Sequence, residues 1–277
     1  MKIEKSFYAT KDHSDFFWQT WKPDGEFTTI ILIIHGLGEH IARYDTLASQ
    51  LLTKNYLVSG FDHRGHGQTK GKRGAASYKK MLADIDEFVS IHQKLYADKK
   101  IILFGHSMGG NLVINYLLKY QPKITAAIAS APALQPAYKV PAWKTLIGKS
   151  LRPWLPDLTM KAGFRPKDRT RSSVVLNQAE HDPLLHGKIS IDLGLSVIEQ
   201  GIWAIKNASM LSIPLLLQHG MADGLTSPQA SEIFAENAPQ DLITLNLYEG
   251  LYHELHHEPE AHEVIEKMMF WIQEVSY

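Results

Sequence analysis

The chain has 277 residues, 44% apolar and 21% charged, the make-up of a globular protein long enough to bury a large core. Its 29 basic and 29 acidic residues cancel, so the composition carries no cationic footprint for nucleic acid. With no cysteine, disulfides, thiolate metal sites and a thiol nucleophile are all excluded.

No apolar core follows the charges of Met1-Lys2-Ile3-Glu4-Lys5, and no run reaches the ~20 apolar residues of a membrane span. A cytoplasmic protein is expected. Residues 2–8 and 15–21 read as two strands joined by a polar turn at Asp12–Ser14. After the turn signal Pro23-Asp24-Gly25, residues 29–34 form a continuous β-branched run, the pattern of a strand covered on both faces. That run ends in His35-Gly36-Leu37-Gly38-Glu39-His40, and Leu47, Ala48, Leu51 and Leu52 then mark a helix. A strand from Tyr56 to Phe61 leads into Asp62-His63-Arg64-Gly65-His66-Gly67. Met81, Ile85, Phe88, Val89 and His92 have the three-and-four spacing of an amphipathic helix.

The next strand, Ile101–Phe104, runs into Gly105-His106-Ser107-Met108-Gly109, and a helical pattern leaves it through Leu112, Val113, Tyr116 and Leu117. Strand, G-x-S-x-G, helix is the context of a nucleophile elbow. Only glycines fit beside so sharp a turn, and the turn lifts the serine hydroxyl clear of the sheet. A further strand covers residues 124–130, and the alternation breaks at Pro132. From residue 135 to 207 no buried strand is expected. Prolines, Trp143, Trp154, Trp203 and helical patterns fill that stretch, one of them Ile191, Leu195, Ile198, Ile202, Ile205. The alternation resumes with strand 214–219, a helix from Pro228, strand 242–248 and a last helix through Val264, Ile265, Met268 and Ile272.

This order predicts an α/β fold with a mostly parallel central sheet and helices on both faces. Residues 1–134 and 208–277 form the core, and residues 135–207 a helical cap inserted over it.

A serine needs a base, and the base an orienting acid. In a fold of this kind they follow in the order Ser, acid, His on loops after later strands. Asp223 follows the resumed strand and His253 follows the last one, so the expected triad is Ser107, Asp223 and His253. Asp182, before Pro183, is a rival acid better suited to a turn or cap. The oxyanion donors expected are the N–H groups of Met108 and of Leu37 in the Gly36–Gly38 loop. His253-Glu254-Leu255-His256-His257 also matches H-E-x-x-H, the zinc peptidase signature. That signature works on a helix, and here it lies between Gly250 and Pro259, where a loop is expected. No metal and no cofactor are therefore expected.

The set His35–His40, Asp62–Gly67, Gly105–Gly109 and Tyr248–His253 resembles the monoacylglycerol lipase and lysophospholipase branch of the α/β-hydrolases, over nearly everything from Ile30 to Ile272. The resemblance implies the α/β-hydrolase fold, the same triad and oxyanion donors, and residues 135–207 as the cap. It further implies that Arg43 and His256 help bind the glycerol head group. Ala179 departs from the pattern, standing where mammalian members carry a tyrosine near the glycerol. The function expected is a serine ester hydrolase acting on a small lipid ester, with a lysophospholipase or broader carboxylesterase as the alternative. A non-catalytic binding protein on the same fold is the reading from another class.

One helical stretch of the cap carries Trp143, Leu146, Ile147 and Leu151 at offsets of three, four and eight, interleaved with Lys144, Lys149 and Arg152. One apolar face follows, for packing or for an acyl throat and a lipid surface. Ile147 and Leu151 are the candidate acyl-binding residues, and peripheral membrane contact through the cap is expected.

Overall fold

The computed structural model describes residues 2–12, 14–163 and 165–276. In chain order, β1 (Lys2–Ala9) and β2 (Asp15–Lys22) form an antiparallel hairpin; of the turn expected between them, His13 lies outside the described residues. Then come β3 (Thr29–Ile34), α1 (Asp45–Leu52), β4 (Leu57–Phe61) and α2 (Tyr78–Leu95). Next are β5 (Lys100–His106), α3 (Met108–Tyr120) and β6 (Ala126–Ser130). The stretch from 135 to 207 holds α4 (Ala142–Leu151), β7 (Thr159–Lys161), α5 (Ser173–Glu180), β8 (Lys188–Ser190) and α6 (Ile191–Lys206). The chain closes with β9 (Leu215–Gly220), α7 (Pro228–Asn237), β10 (Ile243–Tyr248) and α8 (Ala261–Val275).

Eight strands make one sheet in the order β1-β2-β4-β3-β5-β6-β9-β10. From β4 to β10 every pairing is parallel, and β2 joins β4 antiparallel. The apolar runs explain this. Successive side chains of a strand point to opposite faces, so a strand apolar at every position must be covered twice. Ile30, Leu32 and Ile34 of β3 pack into the core shared with α2, α3 and α7, while Ile31 and Ile33 pack into the core shared with α1 and α8. The outer strand β1 is largely exposed and carries Lys2, Glu4 and Lys5, charges that discourage a further strand from adding to the edge.

Two features of the 135–207 stretch were not expected. A short antiparallel ribbon, β7 with β8, lies within it. The apolar face of α6 also meets different surroundings along its length: Ile191, Leu195 and Ile198 line a cavity, Ile202 is exposed and Ile205 is buried. Gly201 is what lets α6 approach the core, since a Cβ there would lie 2.0 Å from the Leu134 carbonyl oxygen. The side-chain amide of Asn111 in α3 then donates to the Ala133 and Val197 carbonyls (2.7 and 3.1 Å), and that of Asn115 to Gln200 (3.2 Å). Among the described residues no helix is long and apolar enough to cross a membrane.

Candidate active site

The carboxyl ends of β3, β5, β9 and β10 converge on a mainly apolar cavity of about 260 Å³. Ser107, between β5 and α3, is the single residue from Ile101 to Gly110 that is not buried. Its backbone is strained, with φ 55° and ψ −117°. For a residue with a Cβ such a conformation costs on the order of 1–3 kcal/mol and persists only where the surroundings enforce it. Here they do: the Ser107 N–H donates to the Ser130 carbonyl (3.0 Å), and its own carbonyl accepts from Asn111 and Ala133 (3.0 and 2.9 Å). The flanking glycines are equally constrained. A Cβ on Gly105 would lie 2.4 Å from the Gly109 oxygen, and one on Gly109 would lie 2.0 Å from the Ile34 oxygen.

Asp223 and His253 meet as the topology requires. His253 Nδ1 donates to Asp223 Oδ2 at 2.7 Å, which leaves Nε2 free to accept a proton in the cavity that both His253 and Ser107 line. The remaining Asp223 oxygen accepts from the Leu225 and Thr226 N–H groups (2.7 and 3.0 Å). Burial by itself would raise the Asp223 carboxyl, but His253, His219 and their hydrogen bonds hold it well below the usual carboxylate range. Burial likewise would lower the His253 imidazole, and the Asp223 carboxylate more than offsets this, so the net shift is upward from 6.5.

The residue missed from the sequence is His219. It is fully buried, its Nε2 donates to Asp223 Oδ2 at 3.0 Å, and its Nδ1 accepts from the Ser231 hydroxyl at 2.7 Å. Asp223 therefore sits between two imidazoles. The His219–Asp223 spacing of four residues was visible, but nothing in one sequence separates it from the other histidines. The rival acid, Asp182, accepts instead from His40 Nε2 at 2.7 Å and from the Leu184 N–H at 2.9 Å, the turn role expected of it.

Leu37 and Met108 line the cavity on either side of Ser107. Gly36 brings the first loop close, since a Cβ there would lie 3.2 Å from the Ser107 Cβ. Gly38 has φ +73° and packs so tightly on residue 186 that a Cβ would lie 2.0 Å from the His186 carbonyl oxygen, while the His186 N–H donates to the Gly38 carbonyl at 2.9 Å. The loop is thus clamped between Ser107 and the 135–207 stretch.

Four expected binding residues stand differently. Arg43 reaches the cavity, but its guanidinium is spent on two carboxylates: Nη1 donates to Glu39 (2.8 Å) and Glu254 (3.0 Å), and Nη2 to Glu254 (2.8 Å). His256 does not line the cavity. It is buried and stacked on Tyr44 with ring centres 4.9 Å apart, and neither ring nitrogen has a partner among the described residues. Ile147 and Leu151 do not line it either. The cavity side of α4 is Lys144, Thr145 and Gly148, and the apolar face points outward, with Trp143 60%, Leu146 67% and Ile147 50% exposed. Arg152, read as a flanking cation, ties α4 to Asp192 and Glu199 of α6.

The zinc alternative fails on geometry. Residues 255–257 are a single 3₁₀ turn and α8 starts only at Ala261, so His253 and His257 share no helical face. His253 turns to Asp223, whereas His257 Nε2 donates to the Arg43 carbonyl (3.1 Å) and Nδ1 lies 2.9 Å from Glu254.

The family model described as serine aminopeptidase, S33, matches residues 25–260, a span that contains all of the motifs above. The monoglyceride lipase of Rattus norvegicus is 32% identical over 94% of this chain and 88% of its own length. An uncharacterized abhydrolase domain-containing protein of Dictyostelium discoideum is 33% identical over 99% of this chain, which spans only 29% of that longer protein. Among solved structures, the Paleococcus ferrophilus monoacylglycerol lipase shares 32% identity and a TM-score of 0.83, over 100% of this chain and 99% of that one. The sheet order, the elbow and these relatives agree: the chain belongs to the monoglyceride lipase family of α/β-hydrolases.

Proposed function

We propose that this protein is a serine ester hydrolase that cleaves monoacylglycerols. The observation that carries the reading is the strained Ser107 opening into a mainly apolar cavity that His253, backed by Asp223, also lines. Ser107 Oγ attacks the acyl carbonyl while His253 Nε2 takes its proton. The Leu37 and Met108 N–H groups stabilise the oxyanion, and the imidazolium returns the proton to the leaving glycerol oxygen. Water, activated by the same imidazole, then releases the fatty acid. No step calls for a cofactor.

The acyl chain runs along Ala133, Leu195, Val197, Ile198 and Leu225, side chains contributed by the core and by α6. Residues 135–207 act as the cap over this channel. Burial of each CH₂ is favourable by about 0.8 kcal/mol, so kcat/KM should climb with chain length until the channel is full. Hydrolysis of glycerol monoesters from C2 to C18 tests this; a profile that peaks at acetate would refute it. The outward face of α4 and the exposed Trp154 rest on lipid, with Lys144 and Lys149 toward head groups. Trp143→Ser with Ile147→Ser should abolish co-sedimentation with anionic vesicles and leave hydrolysis of a water-soluble ester unchanged. Unaltered vesicle binding would remove the membrane role.

A further inference from the structure

The polar end of the cavity brings two carboxylates and two guanidiniums together, and one of the guanidiniums makes no direct ion pair among the described residues. Its two carboxylates, Glu39 and Glu254, are both engaged by Arg43. A second arginine, Arg169, also lines the cavity, half-buried, and its backbone carbonyl accepts from the N–H of Glu254, the residue next to His253, at 2.7 Å. Its neighbours in the same loop are paired: Arg165 with Asp168, and Arg171 with Glu258 and Glu260. The Arg169 guanidinium has no hydrogen bond or ion pair among the described residues, and the acids that could have served it are taken.

A half-buried guanidinium with no direct hydrogen bond or ion pair keeps its donor fork open to an anion that arrives with a ligand. The ligand must reach the cavity beside His253, where the alcohol half of the ester sits under the proposed mechanism. A phosphate on the glycerol matches in charge, and its oxygens match the planar donor fork of an arginine. We propose that Arg169 is a specificity-determining residue that selects acylglycerols bearing an anionic phosphate head group over neutral ones. The inference rests on the ester hydrolase reading above. The reaction is unchanged: ester plus water gives fatty acid and glycerol phosphate.

The test compares 1-oleoylglycerol with 1-oleoylglycerol 3-phosphate, both in the same neutral detergent micelles, for the wild type, Arg169→Gln and Arg169→Lys. Loss of a charge-assisted pair to phosphate should lower kcat/KM on the phosphate ester by about tenfold to a hundredfold in Arg169→Gln. The neutral ester should change less than about twofold, and Arg169→Lys should fall between. Equal losses on both substrates, or wild type that cleaves the neutral ester and not the phosphate ester, would overturn the inference and leave the hydrolase reading standing. Inhibition by oleate that weakens in Arg169→Gln, with phosphate-ester turnover unaffected, would assign the cation to the product carboxylate and also overturn it. Folded protein inactive on both esters would instead sink the reading beneath it.

Discussion

Replacing Arg43 with methionine separates a structural role from a head-group role. The guanidinium is buried, and three of its N–H groups reach Glu39 and Glu254 at 2.8–3.0 Å. Burial alone would raise both carboxyls, but Arg43 reverses that and holds them below their usual range. Arg43→Met leaves two buried carboxylates without their cation, which costs about 3–5 kcal/mol. At roughly 2–4 °C per kcal/mol this lowers Tm by on the order of 10 °C. The pH dependence has a definite sign. In the wild type the depressed carboxyls contribute stability above their unfolded pKa of about 4.5, and it is lost as pH falls through their folded values. In the variant burial is no longer opposed by the guanidinium, so the carboxyls move up. The deficit is then largest near neutral pH and shrinks as acid protonates them. Urea unfolding followed by tryptophan fluorescence at several pH values measures this. Glu39 also accepts from the Gly36 N–H and the Tyr44 hydroxyl, so the loop carrying Leu37 shifts and kcat falls more than KM rises. A variant of wild-type stability with a strongly raised KM for monoacylglycerol would refute the reasoning and restore Arg43 to head-group binding.

His219→Ala removes a buried hydrogen bond to the Asp223 carboxylate, worth about 1.5–3 kcal/mol, and should lower kcat by roughly tenfold to a hundredfold with little change in KM; steady-state kinetics on a p-nitrophenyl ester decides it. Under the proposed mechanism His253 is the base and must be neutral; its pKa is raised, so kcat/KM should fall as pH drops through a value above 6.5. Asp223→Asn removes what raises that pKa, so the acid limb should move to lower pH while the rate drops by about 10⁴. Gly109→Ala drives a Cβ into the Ile34 carbonyl, backbone that cannot yield, and should destabilise by roughly 1–3 kcal/mol or more in a denaturant titration.

The parts of the site set by local sterics are legible in the amino-acid sequence. Gly105 and Gly109 are demanded by backbone contacts of 2.0–2.4 Å, and a turn that tight leaves its mark in the residues that form it. The burial of β3 on both faces followed from its unbroken apolar run. What periodicity could not supply is the identity of the neighbour. Trp143, Leu146 and Ile147 do form one face of α4, but an apolar face reads the same whether protein, ligand or lipid is to cover it, and here it turns away from the cavity. In α6 the same spacing meets cavity, solvent and core in turn along the helix. Arg43 illustrates the limit from the electrostatic side. Its i,i+4 partner Glu39 could be guessed, whereas Glu254, 211 residues away, is brought in by the fold alone.

The central claim is that Ser107 becomes acylated. A fluorophosphonate probe, read by intact mass and peptide mapping on the wild type and Ser107→Ala, tests it most directly. The account predicts one adduct, on the peptide containing Ser107, no adduct in the variant, and loss of ester turnover by on the order of a thousandfold or more in folded protein. Labelling at another residue, or a variant that keeps a tenth of wild-type activity, would contradict it.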